Sequence, residues 1–163
     1  MATIKPSYGS ASALTVTNLQ SLANNSFWQS AGQDNDTDLA KTVDVFVTLG
    51  TTTTVGSATG YANVYVAPSA DGGSTFAGAA SGSEGSYAPS PSAAEQSKNL
   101  VFLGRIAMKA DETTARTYSA QFTIGPDFDV PKNYSLVIEN QTGAALASSG
   151  NAVGLLKNQA QSV

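Results

Sequence analysis

The chain has 163 residues, of which 41% are hydrophobic and only 12% charged, with a formal net charge of −4. This length suits one domain around one core, and the scattered cations leave no excess to neutralise phosphates, so nucleic acid is not expected as a partner. Cysteine and histidine are both absent, which removes disulfides, zinc-thiolate sites, the strongest natural nucleophile and the commonest general base; an enzyme is not expected.

The start, Met1 to Pro6, lacks the apolar stretch of a signal peptide. No apolar run approaches the roughly 18–20 residues that span a bilayer, so a cytoplasmically made chain without a membrane anchor is expected. Residues 2–22 are polar and poor in strand periodicity, which predicts an extended N-terminal arm that orders on assembly; residues 18–23 suit a helical turn or two.

Phe27-Trp28 holds the sole tryptophan, which can serve as a core anchor, a docking hot spot or a sugar-stacking platform. Asp34-Asn35-Asp36-Thr37-Asp38 then spaces three carboxylates like the opening of a calcium loop. Leu39 and Val45 stand where an EF-hand needs Gly and Glu, leaving two readings: a looser calcium site on Asp34, Asp36 and Asp38, or a plain Asn/Asp-rich turn. No cofactor is otherwise expected.

From Thr42 to Leu49 the alternation is strict, with Val43, Val45, Val47 and Leu49 on the face expected to be buried. Tyr61 to Ala67 repeats it, Ala62, Val64 and Val66 opposing Tyr61, Asn63 and Tyr65; the Thr/Gly-rich stretch 50–60 between them reads as a hairpin connection, so the two strands are expected to pair. Tyr61 and Tyr65 share one strand face and form a second candidate patch for a partner or a sugar. Residues 68–97, rich in Gly, Ser, Ala and Pro, predict a long flexible loop facing a partner, with a short helical turn at 93–98.

Beyond it, residues 99–109 resume strand patterning with a bulge or bend at Gly104. Thr117 to Ile124 alternates with Tyr118, Ala120, Phe122 and Ile124 inward, and Pro126 closes it. Tyr134, Leu136 and Ile138 line one face of a further strand, the turn signal Asn140-Gln141-Thr142-Gly143 follows with a short return through Ala147, and a last strand lies near Ala152 to Leu156. The acids Asp44, Glu95, Asp111, Glu112, Asp127, Asp129 and Glu139 show no spacing that singles out a catalytic pair. Six to eight short strands predict an all-β, single-domain antiparallel sandwich over 1–163, jelly-roll-like or a related Greek key, with an immunoglobulin-like topology as the competitor.

The segments Asn24-Asn25-Ser26-Phe27-Trp28-Gln29-Ser30, Asn63-Val64-Tyr65-Val66-Ala67 with Ser69-Ala70-Asp71-Gly72-Gly73, and Ser135-Leu136-Val137-Ile138-Glu139-Asn140-Gln141-Thr142-Gly143 resemble those of small virion proteins of tailed bacteriophages. The resemblance implies a virion structural role, foremost as a head decoration or cement protein. Such proteins sit on the outer capsid surface, often as homotrimers of β-sandwich subunits, bind the major capsid protein and brace neighbouring capsomers. It implies a virion location after synthesis in the host cytoplasm, and carries over no catalytic residue. A tail tube, tail tip or fibre component remains the alternative, as does a carbohydrate-binding or adhesive module; the last requires Trp28 or the Tyr61/Tyr65 pair to be exposed.

Overall fold

The computed structural model describes residues 4–37, 39–52, 60–88, 99–109 and 114–162. Eleven strands are present among them: β1 (Ile4–Tyr8), β2 (Ser12–Ala13), β3 (Ser26–Gln29), β4 (Gln33–Asp34), β5 (Thr42–Gly50), β6 (Tyr61–Ser69), β7 (Gly85–Tyr87), β8 (Val101–Ala107), β9 (Thr117–Ile124), β10 (Asn133–Gln141) and β11 (Ala152–Ser162). They form two antiparallel sheets, ordered β1-β11-β5-β9 and β7-β3-β10-β6-β8, with the short β2 and β4 pairing at the flanks of β11 and β10.

Counted in chain order, the eight strands of four or more residues divide so that the first, eighth, third and sixth make one sheet. The second, seventh, fourth and fifth make the other. This is the strand order of a jelly roll, two Greek keys folded over one core, and it settles the fold as an all-β sandwich of that topology.

The core is built as the alternations dictate. Val43, Val45, Val47 and Leu49 from β5 face Ala62, Val64 and Val66 from β6 across the sandwich, with Leu136, Ile138, Ile124, Val153 and Leu155 completing the layer. The two alternating segments therefore line opposite walls and do not pair: β5 bonds to β11 and β9, β6 to β10 and β8. A one-sided apolar pattern is common to hairpin partners and to strands that face one another across a sandwich. The connection 50–60 accordingly crosses between sheets; residues 53–59 of it lie outside the described residues.

The bulge falls where glycine suggested it. Val64 opposes Gly104 while Tyr65 opposes Phe102, so Leu103 is the extra residue on β8. A Cβ at Gly104 would come within 2.5 Å of the Phe122 ring, so only glycine lets β8 pass so close to β9.

Two expectations change. Residues 4–22 run extended in part, but along the body of the sandwich: β1 and β2 pair with β11, a single 3-10 turn spans Thr17–Leu19, and Leu19 and Leu22 are buried in the main core. The apolar residues in this stretch are too few to show a period, yet two leucines suffice to pin it. The segment 68–88 is likewise no loose loop. It closes β6, turns at Asp71, and lays Phe76, Ala80 and Tyr87 over Phe27, Tyr65, Ala67 and Val137 as a second apolar cluster that also takes in Leu100. The remainder of the expected loop, including the turn at 93–98, lies outside the described residues.

Candidate docking surfaces

The three tyrosine and tryptophan candidates are not free platforms. Trp28 is fully buried in the main core. Its Nε1 donates to Glu84 Oε1 at 2.8 Å, and the same carboxylate accepts from the Asn18 backbone N–H and the Asn18 side-chain amide, each at 2.8 Å. Burial pushes the Glu84 carboxyl up, and these three donors more than reverse that, holding it below the ordinary range. Trp28 is therefore a core anchor bolted through Glu84 to the N-terminal segment, and neither a hot spot nor a sugar platform.

Tyr65 is buried against the covering segment and packs edge-on to Phe102, ring centroids 5.5 Å apart. Its hydroxyl donates to Glu139 Oε2 at 2.9 Å; burial, then the hydrogen bond to Glu139 and its charge, push the phenol pKa well above its ordinary value, so it stays protonated. Tyr61 is half-buried, with the Arg105 guanidinium 3.8 Å above its ring. The shared face of Tyr61 and Tyr65 is real, and it is occupied by the protein's own groups.

The aspartate cluster forms a turn. Asp34 Oδ1 accepts from the Asp36 N–H at 2.7 Å, and Asp36 pairs with Lys132 at 3.0 Å. Asn35, between them, holds the chain around Ala40 through its side chain. Asp38 lies outside the described residues, and among the described residues no group of three acids is placed to hold a metal. The Asn/Asp-rich turn is the reading the geometry favours.

Sequence reasoning passed over the most distinctive surface, the outward face of the β1-β11-β5-β9 sheet. The opposite sheet is covered over much of its outer side by residues 70–88, whereas among the described residues no such segment lies over this one. Register places its outward side chains in rows: Thr48 with Ser119 and Ala152, Phe46 with Gln121, Gly154 and Ala13, Asp44 with Thr123 and Leu156, and Thr42 with Asn158 and Tyr8. Asp44 is the one charged side chain in these rows.

Many of the polar groups here are spent on one another. Thr48 and Ser119 share a hydrogen bond at 3.0 Å; Asp44 accepts from Thr123 Oγ1 at 2.7 Å and from Asn158 Nδ2 at 3.0 Å; and Asn158 also donates to Thr42 Oγ1 at 3.2 Å. Phe46 stands 39% exposed in the middle beside Gly154, which gives it no cover, and Tyr8 stands 72% exposed at the margin. The result is nearly neutral, and its paired Thr, Ser and Asp groups are cheaper to desolvate than unpaired ones, while the buried Asn158 Oδ1 has no partner. Alternation alone marks these positions only as outward.

The sequence matches no protein-family model and no curated protein. Among solved structures it is similar to murine APRIL, at 10% identity and a TM-score of 0.42, over 71% of this chain and 65% of that one, just under two thirds of its length. It is also similar to the CBM22-1 xylan-binding domain of Paenibacillus barcinonensis Xyn10C, at 13% identity and a TM-score of 0.34, over 98% of this chain and 85% of that one.

Proposed function

We propose that this chain is a structural protein of a tailed-bacteriophage virion, a head decoration protein that binds the outer capsid surface as a homotrimer and braces neighbouring capsomers. The observation that carries the reading is the open sheet face around Phe46. A decoration protein must stay soluble as a free subunit and then bind many equivalent sites on a preformed shell. A face whose Thr, Ser and Asp groups are largely paired with one another costs less to dehydrate on docking than one of bare polar groups, and one aromatic at its centre supplies an anchor. Low charge keeps repulsion between close-packed copies small, and repetition over a symmetric lattice multiplies a modest contact.

The test mixes purified protein with undecorated phage heads and measures co-sedimentation, with subunit mass read by light scattering. A trimer saturating heads at a fixed ratio is expected, and Phe46→Arg should abolish binding with the melting temperature held. Failure to bind heads, or assembly into rings or tubes, overturns decoration and moves the chain to the tail.

A further inference from the structure

We infer that the uncovered end of the β8-β6-β10 outer face, around Phe102, Arg105 and Glu139, is a binding site for a neutral oligosaccharide. It lies on the opposite side of the sandwich from the Phe46 face and does not depend on the docking reading.

Three strands bring the groups into adjacent rows: Phe102, Tyr65 and Val137; Arg105, Asn63 and Glu139; Ala107, Tyr61 and Gln141. Phe102 and Arg105 are three residues apart, an odd spacing that would send them to opposite faces of a regular strand. The bulge at Leu103 restores them to the same face. A bulge gives up ladder pairing to re-aim a side chain, which is how it is used beside sites.

The polar groups are positioned in advance. Glu139 accepts from Asn63 Nδ2 at 2.8 Å, from the Tyr65 hydroxyl at 2.9 Å and from Gln141 Nε2 at 2.9 Å, while Arg105 Nε donates to Asn63 Oδ1 at 3.0 Å. Arg105 stacked on Tyr61 keeps its outer nitrogens at the surface. Beside this network Phe102 is 53% exposed, an apolar ring with one edge contact to Tyr65 and no place in the core.

The chemistry selects the ligand. Glu139 offsets the Arg105 charge and disfavours an anion, so phosphates and sulfates are poor occupants. A sugar ring offers an apolar C–H face to the exposed phenyl ring and hydroxyls that can both donate to Glu139 and accept from Arg105 and Gln141.

The purified protein is incubated with insoluble cellulose, xylan, chitin and mannan, and the bound fraction is measured for wild type, Phe102→Ala and Arg105→Met. Retention on at least one polymer is expected, with each substitution weakening it about tenfold, as loss of one stacking or charge-assisted contact predicts. No retention on any of the four, or retention unchanged in both variants, overturns the site. Should either variant melt early, NMR of wild-type protein with xylotetraose and chitotriose decides: shifts gathered at Phe102, Arg105 and Tyr61 support the site, and shifts elsewhere or none overturn it. Failure here leaves capsid binding by the Phe46 face untouched, since heads are absent from the assay.

Discussion

Single side chains hold this sandwich at the points where its chain leaves regular structure. Asn151, buried between the sheets' ends, accepts from the Gly50 N–H at 2.8 Å and donates to Gln20 Oε1 and the Ala147 carbonyl, each at 2.8 Å. Asn151→Ala leaves a buried backbone donor unpaired and should cost about 1–3 kcal/mol, read by urea denaturation. Asp71 caps its turn by accepting, in order of weight, from the Thr75 hydroxyl, the Thr75 N–H, the Ser69 hydroxyl and the Ser74 N–H, and its carboxyl is held at about 2 against an ordinary 3.8. Its depressed pKa contributes stability above the unfolded value near 3.8, and this is lost as pH falls towards 2. Glu84 acts in the same sense, also depressed. Because it binds the sole tryptophan, acidification through the Glu84 transition should shift Trp28 emission, and Glu84→Gln should show the shifted emission at neutral pH with no further acid step. An acid titration of Glu84→Gln identical to wild type would refute the coupling.

Among the elements, β6 and β10 decide the most. Both are covered on two sides: Val64, Val66, Leu136 and Ile138 face the main core, while Tyr65, Ala67 and Val137 lie beneath residues 70–88 and Leu100. Alternation identified their inner faces correctly, and it cannot announce a second layer, because that layer comes from a Gly/Ser/Ala-rich stretch whose few large residues carry the contact. The N-terminal segment shows the converse. Removing residues 2–13 deletes β1 and β2 and should leave a folded domain, since the described part of that stretch adds no residue to the buried core. Removing 2–22 also deletes Leu19 and Leu22. Truncating a buried leucine costs about 2–5 kcal/mol, against a domain total of roughly 5–15 kcal/mol, so the longer deletion should leave the chain largely unfolded by circular dichroism. At the end of β9, Gly125 has φ +129° and a Cβ there would meet the Lys41 carbonyl oxygen at 2.6 Å; Gly125→Ala should destabilise by about 1–3 kcal/mol, from strain and overpacking together.

For the molecule as a whole, the asymmetry between the two outer faces matters most. Among the described residues, one sheet is capped by the chain's own segment over much of its outer side, and the end carrying Phe102 and Arg105 is open. The other presents an uncapped face. Phe46→Arg and Phe102→Ala should therefore separate cleanly, the first removing capsid binding and the second weakening glycan retention, each with the fold intact.

Composition and alternation determined the fold class, the inner faces of β5, β6, β9 and β10 and the bulge near Gly104, because each depends on residues close in the chain; the chain bends at Thr142-Gly143, two residues later than the turn signal at Asn140 implied, since Asn140 and Gln141 still pair with β6. Tertiary structure decided what depends on residues far apart. It placed β5 and β6 on opposite walls, buried Trp28 against Glu84, packed 68–88 onto the sheet, and gathered Arg105, Asn63 and Glu139 on one face. In a jelly roll consecutive strands commonly belong to different sheets, so the neighbours that define a surface are rarely neighbours in sequence.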